Sequence, residues 1–439
     1  MKTHALYLLL AGMTGLVACG GSTDSGAQTP ATPAGDTQPS PDDTAAATPA
    51  DPPLDHGSPS TTYPAFKPDM GQLANGGGPV LKNPVVVTVT WPNEPNVTTF
   101  ESFGDQLGPT KYWKEITEEY GVGPTTSGPE NHVHMTEAAP ASISDTDIEN
   151  FVRTHVTAKD ATAWPTPASG QPIYIMYIPT STTLMLEGKA ACAQGVGGYH
   201  DSVNVNGTNV AYAVIPQCHD LQESTLSASH ELAEAATDPY PRSSPGFAHF
   251  DDDHLAWEFF QQFQSENGDA CEFYRDSEMP ATSDFPFTVQ RQWSNASAAA
   301  GHDPCVPAAH ATYFNVTPLK TEDVDLDLSA LGGNTATTKG YRVAVGDTKK
   351  IALGFYSDGP TDAWKIKVLE GGIFGTSQKG KFDMSLDVDQ GQNGQIAYLT
   401  VTALQKGRIG GGLVTVVSTN ASGVSHYMPL MIGTPDAKK

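Results

Sequence analysis

The residues best placed to do chemistry are His230, Glu231 and Glu234, in the stretch running from Ser227 to Pro239. On a helix, His230 and Glu234 stand one turn apart on the same face, so an imidazole nitrogen and a carboxylate converge at a spacing that suits one metal ion. The zinc-protease pattern H-E-x-x-H uses its two His as ligands and the intervening Glu as general base. Here the second ligand position is Glu234. A carboxylate cancels more of a cation's charge than imidazole does, so a water bound beside it is less acidified. The pattern predicts His230 and Glu234 as metal ligands and Glu231 as the general base.

A catalytic zinc takes three protein ligands and keeps one position open. The metzincin continuation, a Gly and then a third His, is missing, because Thr237 and Tyr240 occupy those positions. A third ligand from a later segment is the remaining arrangement. Glu258 and Glu266 both lie at a suitable distance along the chain; Glu266 is preferred, with Asp269 either binding the metal or orienting His230. Tyr199 and His200 follow Gly197-Gly198 and are expected to stabilise an oxyanion near the metal, a polar turn being the alternative. Zinc is the expected cofactor, with calcium as the second candidate.

Four ordered motifs carry a family resemblance: Gly198-Tyr199-His200, His230-Glu231-Leu232-Ala233-Glu234 with the following Pro239, Glu266-x-x-Asp269-x-Cys271, and Gln292-Trp293. Together they are similar to the motifs of the exordium (phosphate-induced) proteins and their secreted bacterial relatives, over the region from Cys192 to Cys305. The resemblance implies a zincin-like metal site on the H-E-x-x-E segment. Asp238-Pro239 stands where plant members more often have Asn-Pro.

These groups need elements to hold them. No Gly or Pro interrupts Leu226 to Ala236, and Pro239 disfavours helical backbone at Asp238, which predicts a helix of about three turns. Val85–Trp91, Ile173–Ile178 and Val210–Ile215 read as buried strands. Tyr112–Tyr120 reads as a helix stopped by Gly121, and a capping box of Ser144 and Asp147 opens another that runs to Val156. Strands and helices of this kind predict an α+β fold, with a zincin-like α/β domain over residues 79–310. From Ala311 the chain breaks into short alternating stretches separated by Gly, Asp and Asn, which predicts an antiparallel, immunoglobulin-like β-sandwich over 311–439. Within it, Asp387 to Gly394 reads as a hairpin turning at Asn393-Gly394, with a calcium loop as the alternative.

The 439 residues carry a formal charge of -25 and a pI near 4.7, without a basic run, which argues against nucleic acid and anionic membrane surfaces as partners. Residues 1–18 read as an export signal too short to span a membrane. Its end, Leu16-Val17-Ala18-Cys19, resembles a bacterial lipobox and implies a lipid on Cys19, with an outer-membrane or cell-surface address. Residues 19–78, rich in Pro, Thr and Ala, are expected to form a disordered tether. Cys192, Cys218, Cys271 and Cys305 make an even set in an exported chain, and proximity favours bridges 192–218 and 271–305. The expected function is metal-dependent hydrolysis of a peptide or protein substrate. Its rival is a non-catalytic surface binding or adhesion module, with a structural metal and a cell-envelope polymer as partner.

Overall fold

The computed structural model describes residues 54–166, 170–263, 265–372 and 380–435, so the export signal and Cys19 lie outside the described residues. The chain is mixed α and β, dominated by sheets. Its first half is built on strand β1 (Pro84–Thr90), followed by α1 (Val97–Leu107), α2 (Lys111–Thr117), β2 (His132–His134), α3 (Asp145–Thr157) and β3 (Gln171–Ile178). A hairpin of β4 (Tyr199–Val205) and β5 (Thr208–Pro216) then leads into α4 (Leu221–Thr237). The sheet order is β2-β1-β3-β5-β4. All neighbours are parallel except β4, which runs antiparallel to β5 at the edge.

The apolar runs of β1, β3 and β5 are explained by burial on both faces, as parallel sheets require. Phe100 and Phe103 of α1, Trp113 of α2 and Leu232 and Ala236 of α4 share one core with Ile173, Ile175 and Ala213. Ile148 and Val152 of α3 share the opposite core with Tyr174, Met176 and Val214. The capping box expected at Ser144 and Asp147 opens α3. Gly121, at φ 85, closes the turn after α2, where a Cβ would be strained.

Helix α4 is longer than the apolar stretch predicts. It starts five residues earlier, where the Asp220 side chain accepts from the Glu223 backbone N–H at 3.0 Å. Thr225, in this polar first part, is buried and donates to the Thr288 carbonyl at 2.8 Å. A local cap and a hydrogen bond to a distant segment, rather than hydropathy, stabilise that turn.

After α4 come two short helices, α5 (Leu255–Phe260) and α6 (Asp269–Glu272), and then strands β6 (Phe314–Pro318), β7 (Glu322–Asp327), β8 (Thr335–Arg342), β9 (Thr348–Ser357) and β10 (Trp364–Glu370). The last strands are β11 (Phe382–Leu386), β12 (Gln390–Gly391), β13 (Ile396–Ala403), β14 (Gly411–Thr419) and β15 (Ser425–Gly433). They form two sheets, ordered β6-β9-β13-β11 and β7-β8-β15-β14-β10-β12. Trp364 of the second sheet meets Phe314 and Phe355 of the first at ring distances of 5.2 and 5.4 Å, and one core joins the two.

Two expectations for this half are corrected. The sheets are not wholly antiparallel, because β8 and β15 pair in parallel at Tyr341 and Ile432. Asn393-Gly394 does not turn a hairpin either: β12 pairs with β10 whereas β13 pairs with β9, so the turn carries the chain from one sheet to the other. Asn393 is buried there, donating to the Ser60 and Thr62 carbonyls at 2.9 and 2.8 Å.

That contact also corrects the described part of the tether, residues 54–78; residues 19–53 lie outside the described residues. Residues 54–78 are not a free spacer but a strap across both halves. At one end the Ile396 N–H donates to the His56 carbonyl at 2.8 Å and His56 Nδ1 meets the Ile396 carbonyl at 2.9 Å; at the other Leu73–Ala74 pairs with Phe250 and His249. Met70 and Leu73 are buried. A segment poor in apolar residues still orders when its few apolar side chains fill a surface already built.

Candidate metal centre

Three segments far apart in sequence converge above the edge of the five-stranded sheet. Helix α4 brings His230, Glu231 and Glu234; β4 brings His200; the turn entering α6 brings Glu266 and Asp269. Disulfides Cys192–Cys218 and Cys271–Cys305 form as proximity predicts and bracket the site. The first ties the approach to β4 to the approach to α4. The second fixes α6 two residues beyond Asp269, and the backbone N–H of Trp293 donates to the Asn267 carbonyl at 2.7 Å to hold the same turn.

The approach is close enough to demand glycine twice. A Cβ on Gly198 would fall 2.7 Å from Oε1 of Glu231, and one on Gly268 would fall 2.6 Å from Oε1 of Glu234 and 2.9 Å from Nδ1 of His230.

Both imidazoles are oriented by what they meet at their outer nitrogens. Gln290 donates its Nε2 to the Gly268 carbonyl at 2.8 Å, which turns its Oε1 toward His230 Nδ1 at 3.0 Å. Nδ1 therefore carries the proton and Nε2 faces Glu234 Oε1 at 3.1 Å and Asp269 Oδ1 at 3.7 Å. His200 does the same with its nitrogens exchanged. Its Nε2 donates to the Asp238 carbonyl at 3.1 Å, while Nδ1 faces Glu234 Oε2 at 3.4 Å, Glu231 Oε2 at 3.5 Å and Glu266 Oε2 at 3.7 Å. An inner lone pair pointed at carboxylate oxygens is repulsive unless a proton or a metal ion lies between them.

The cluster is buried and dense in charge. The side chains of His200 and Glu234 are 4% and 3% exposed, whereas Glu266 and Asp269 keep 16% and 20%. Burial opposes protonation of both imidazoles, but the carboxylates outweigh it, Glu266 foremost at His200 and Glu234 at His230, and hold both well above the ordinary histidine range. Burial would raise Glu234 as well, yet the two imidazoles hold it below the ordinary carboxylate range. Glu231, Glu266 and Asp269 are pushed upward, by burial above all.

Tyr199 does not join the site. Its neighbour His200 sits opposite Ala213, on the face covered by α4, while Tyr199 sits opposite Val214 on the face covered by α3. Successive strand residues point to opposite faces, so only one of an adjacent pair can reach the carboxylates of α4. The Tyr199 ring meets Tyr212 edge to face at 6.2 Å instead. His200 stands among the carboxylates, with its Nδ1 turned to Glu234, Glu231 and Glu266. Glu258 is also elsewhere, accepting from the backbone N–H of Phe250 at 3.0 Å and facing His249 Nδ1 at 2.8 Å. His254 faces Asp251 at 2.6 Å, and His219 lies beside Glu223.

Two amides escaped sequence reasoning as parts of the site. Gln290 carries no motif that would mark it. Gln292 belongs to one of the motifs of the resemblance; it is fully buried, with Tyr112 as a side-chain neighbour. A Cβ on Gly268 would lie 3.0 Å from the Gln292 Oε1, which places it at the edge of the cluster.

Neither a family model nor a curated protein matches this sequence. Among solved structures, a conjugative transposon lipoprotein from Bacteroides eggerthii aligns at 13% identity over 27% of this chain and 95% of its own, with a TM-score of 0.18. A lipoprotein from Bacteroides thetaiotaomicron aligns at 15% identity over 30% of this chain and 88% of its own, with a TM-score of 0.19. The BIgI domain of beta protein from S. agalactiae, solved bound to CEACAM1, aligns at 15% identity over 27% of this chain and 100% of its own, with a TM-score of 0.16. Scores this low assign neither fold nor function.

Proposed function

We propose that this chain is an exported, lipid-anchored protein of the cell envelope whose α4 cluster binds divalent metal, and that the metal serves chiefly to hold a surface-binding module together. The observation that carries the reading is the orientation of His200 and His230. Each donates its outer N–H to a fixed acceptor and turns its inner nitrogen to carboxylates. Nitrogen ligands beside carboxylates suit zinc, whereas calcium prefers six to eight oxygens. A metal there would cross-link α4, β4 and the 266–269 turn. The near-complete burial of Glu231 and Glu234 supports a structural role. We read the α/β half as zincin-like, in line with the exordium resemblance over Cys192 to Cys305, and the C-terminal sheets as immunoglobulin-like, with a cell-envelope polymer or a partner protein as what the module binds. The lipobox at Cys19 supports an outer-membrane or surface address.

Peptide hydrolysis is the second reading, favoured by the residual exposure of Glu266 and Asp269, which leaves one side of the cluster open. A bound divalent ion would supply Lewis acidity and lower the pKa of water. Glu231 would take the proton, and Glu266 and Asp269 would flank the substrate's approach.

Three measurements on the purified chain separate the readings: metal content, melting temperature with and without chelator, and cleavage of a mixed peptide library by wild type and Glu231→Gln. Bound metal with a chelator-sensitive melt and no cleavage supports the structural role. Cleavage that Glu231→Gln abolishes supports hydrolysis. Absence of bound metal after reconstitution overturns both.

A further inference from the structure

We infer that the α4 cluster is a two-metal centre bridged by Glu234; this rests on the metal reading above and changes its stoichiometry and ligand assignment. The donors fall into two groups, within each of which all ligand atoms lie within 4.8 Å of one another: His200 with Glu231 and Glu234, and His230 with Glu234 and Asp269. No such group contains both imidazoles. Each imidazole has its own set of carboxylate partners, and we assign His200 and His230 to different ions on that ground.

Glu234 belongs to both groups and divides its oxygens between them. Oε1 faces His230 at 3.1 Å and Oε2 faces His200 at 3.4 Å. One carboxylate with each oxygen aimed at a different imidazole is the geometry of a bridge, and such bridges hold paired ions about 3.5–4 Å apart. Glu231 then serves as a ligand on the His200 side, with Glu266 beside it at 3.7 Å from the same nitrogen. Asp269 serves on the His230 side, and its backbone N–H, donating to Glu234 Oε1 at 3.0 Å, orients the bridge.

Charge balance points the same way. The ion pairs that Glu231, Glu234, Glu266 and Asp269 make among the described residues are all with His200 and His230. With neutral imidazoles as ligands and all four carboxylates ionised on metal binding, one divalent ion would leave half of their charge uncompensated and two would cancel it.

The test is metal stoichiometry and coupling in the full-length oxidised chain, loaded with Zn2+ for elemental analysis and with Mn2+ for electron paramagnetic resonance. Two ions per chain are expected, with a spin-coupled Mn2+ spectrum. His200→Gln and His230→Gln should each retain one ion and give an uncoupled spectrum, with circular dichroism confirming the fold. One ion per chain in the wild type overturns the two-metal inference and leaves the metal centre standing. Two ions without spin coupling overturn it too, because the second then lies elsewhere. No bound ion overturns the inference and the metal reading together.

Discussion

Gln290 and His230 form a directed pair: the amide oxygen of Gln290 lies 3.0 Å from Nδ1 of His230, and its amide nitrogen is committed to the Gly268 carbonyl at 2.8 Å. The glutamine cannot turn over without losing both contacts. One buried side chain thus sets the imidazole's tautomer and ties it to the turn that supplies Asp269. Groups that orient a ligating histidine in this way are worth about 10–100-fold in metal affinity. Gln290→Leu removes the orientation while preserving bulk, so zinc affinity should fall by roughly that factor. A competition titration against a chromophoric chelator measures it. Unchanged affinity in a folded variant would refute the assignment of His230 as a ligand fixed by Gln290.

Away from the cluster, His254 makes a pH-dependent clamp between the strap and the body. Its Nδ1 meets Asp251 at 2.6 Å and its Nε2 meets Asp69 at 3.4 Å. Burial alone would lower its pKa, but the two carboxylates outweigh burial and raise it to about 9. The unfolded value is near 6.5, so the folded state holds the proton more tightly. The stabilisation is therefore complete below about pH 6.5 and is lost as pH rises through about 9. Both carboxylates are partly open to solvent, which screens the pair and limits the effect to the order of 1 kcal/mol. In chemical denaturation, wild type should exceed His254→Gln by that amount near pH 6, and the difference should disappear by pH 10. A difference that stays constant with pH would mean that His254 contributes packing and no charge.

The parts of this molecule that were legible in its sequence are those in which local pattern and tertiary environment agree. Ile173–Ile178 and Val210–Ile215 are apolar throughout because both of their faces are covered, and they form central strands. The spacing of His230 and Glu234 needed nothing beyond helical geometry. The beginning of α4 was hidden because Gln222 to Thr225 are polar, held by the Asp220 cap and by the distant Thr288 carbonyl that Thr225 meets. Tyr199 and His200 could not be ranked from adjacency alone, since the choice between them depends on which face of β4 receives α4. Gln290 gave no signal at all: its role exists only because the β-bridge at Val289–Gln290 passes under His230. The strap was misread for a different reason. Composition averages over a segment, and in residues 54–78 order depends on a few side chains with pockets to fill.

That strap yields the last prediction. Leu73 is buried, and its backbone is held at both ends by one side chain: Asn295 Oδ1 accepts from the Leu73 N–H at 2.7 Å, and Asn295 Nδ2 donates to the Leu73 carbonyl at 2.8 Å. The core that encloses it contains Phe250, Trp257 and Trp293, and the segment Asn267–Asp269 is anchored to Trp293. A cavity at Leu73 therefore opens next to the support of the turn that carries Asp269. Leu73→Ala should cost about 2–5 kcal/mol, the usual range for truncating a buried leucine. A disordered tether would make the same substitution cost almost nothing, because a solvated side chain has no packing to lose. Guanidinium denaturation of the two proteins distinguishes the cases. Limited proteolysis provides a second readout: in the wild type, residues 54–78 should resist cleavage as long as the body stays folded, and in Leu73→Ala they should be cut first. Equal stability, or equally rapid cutting of the wild-type strap, would restore the tether.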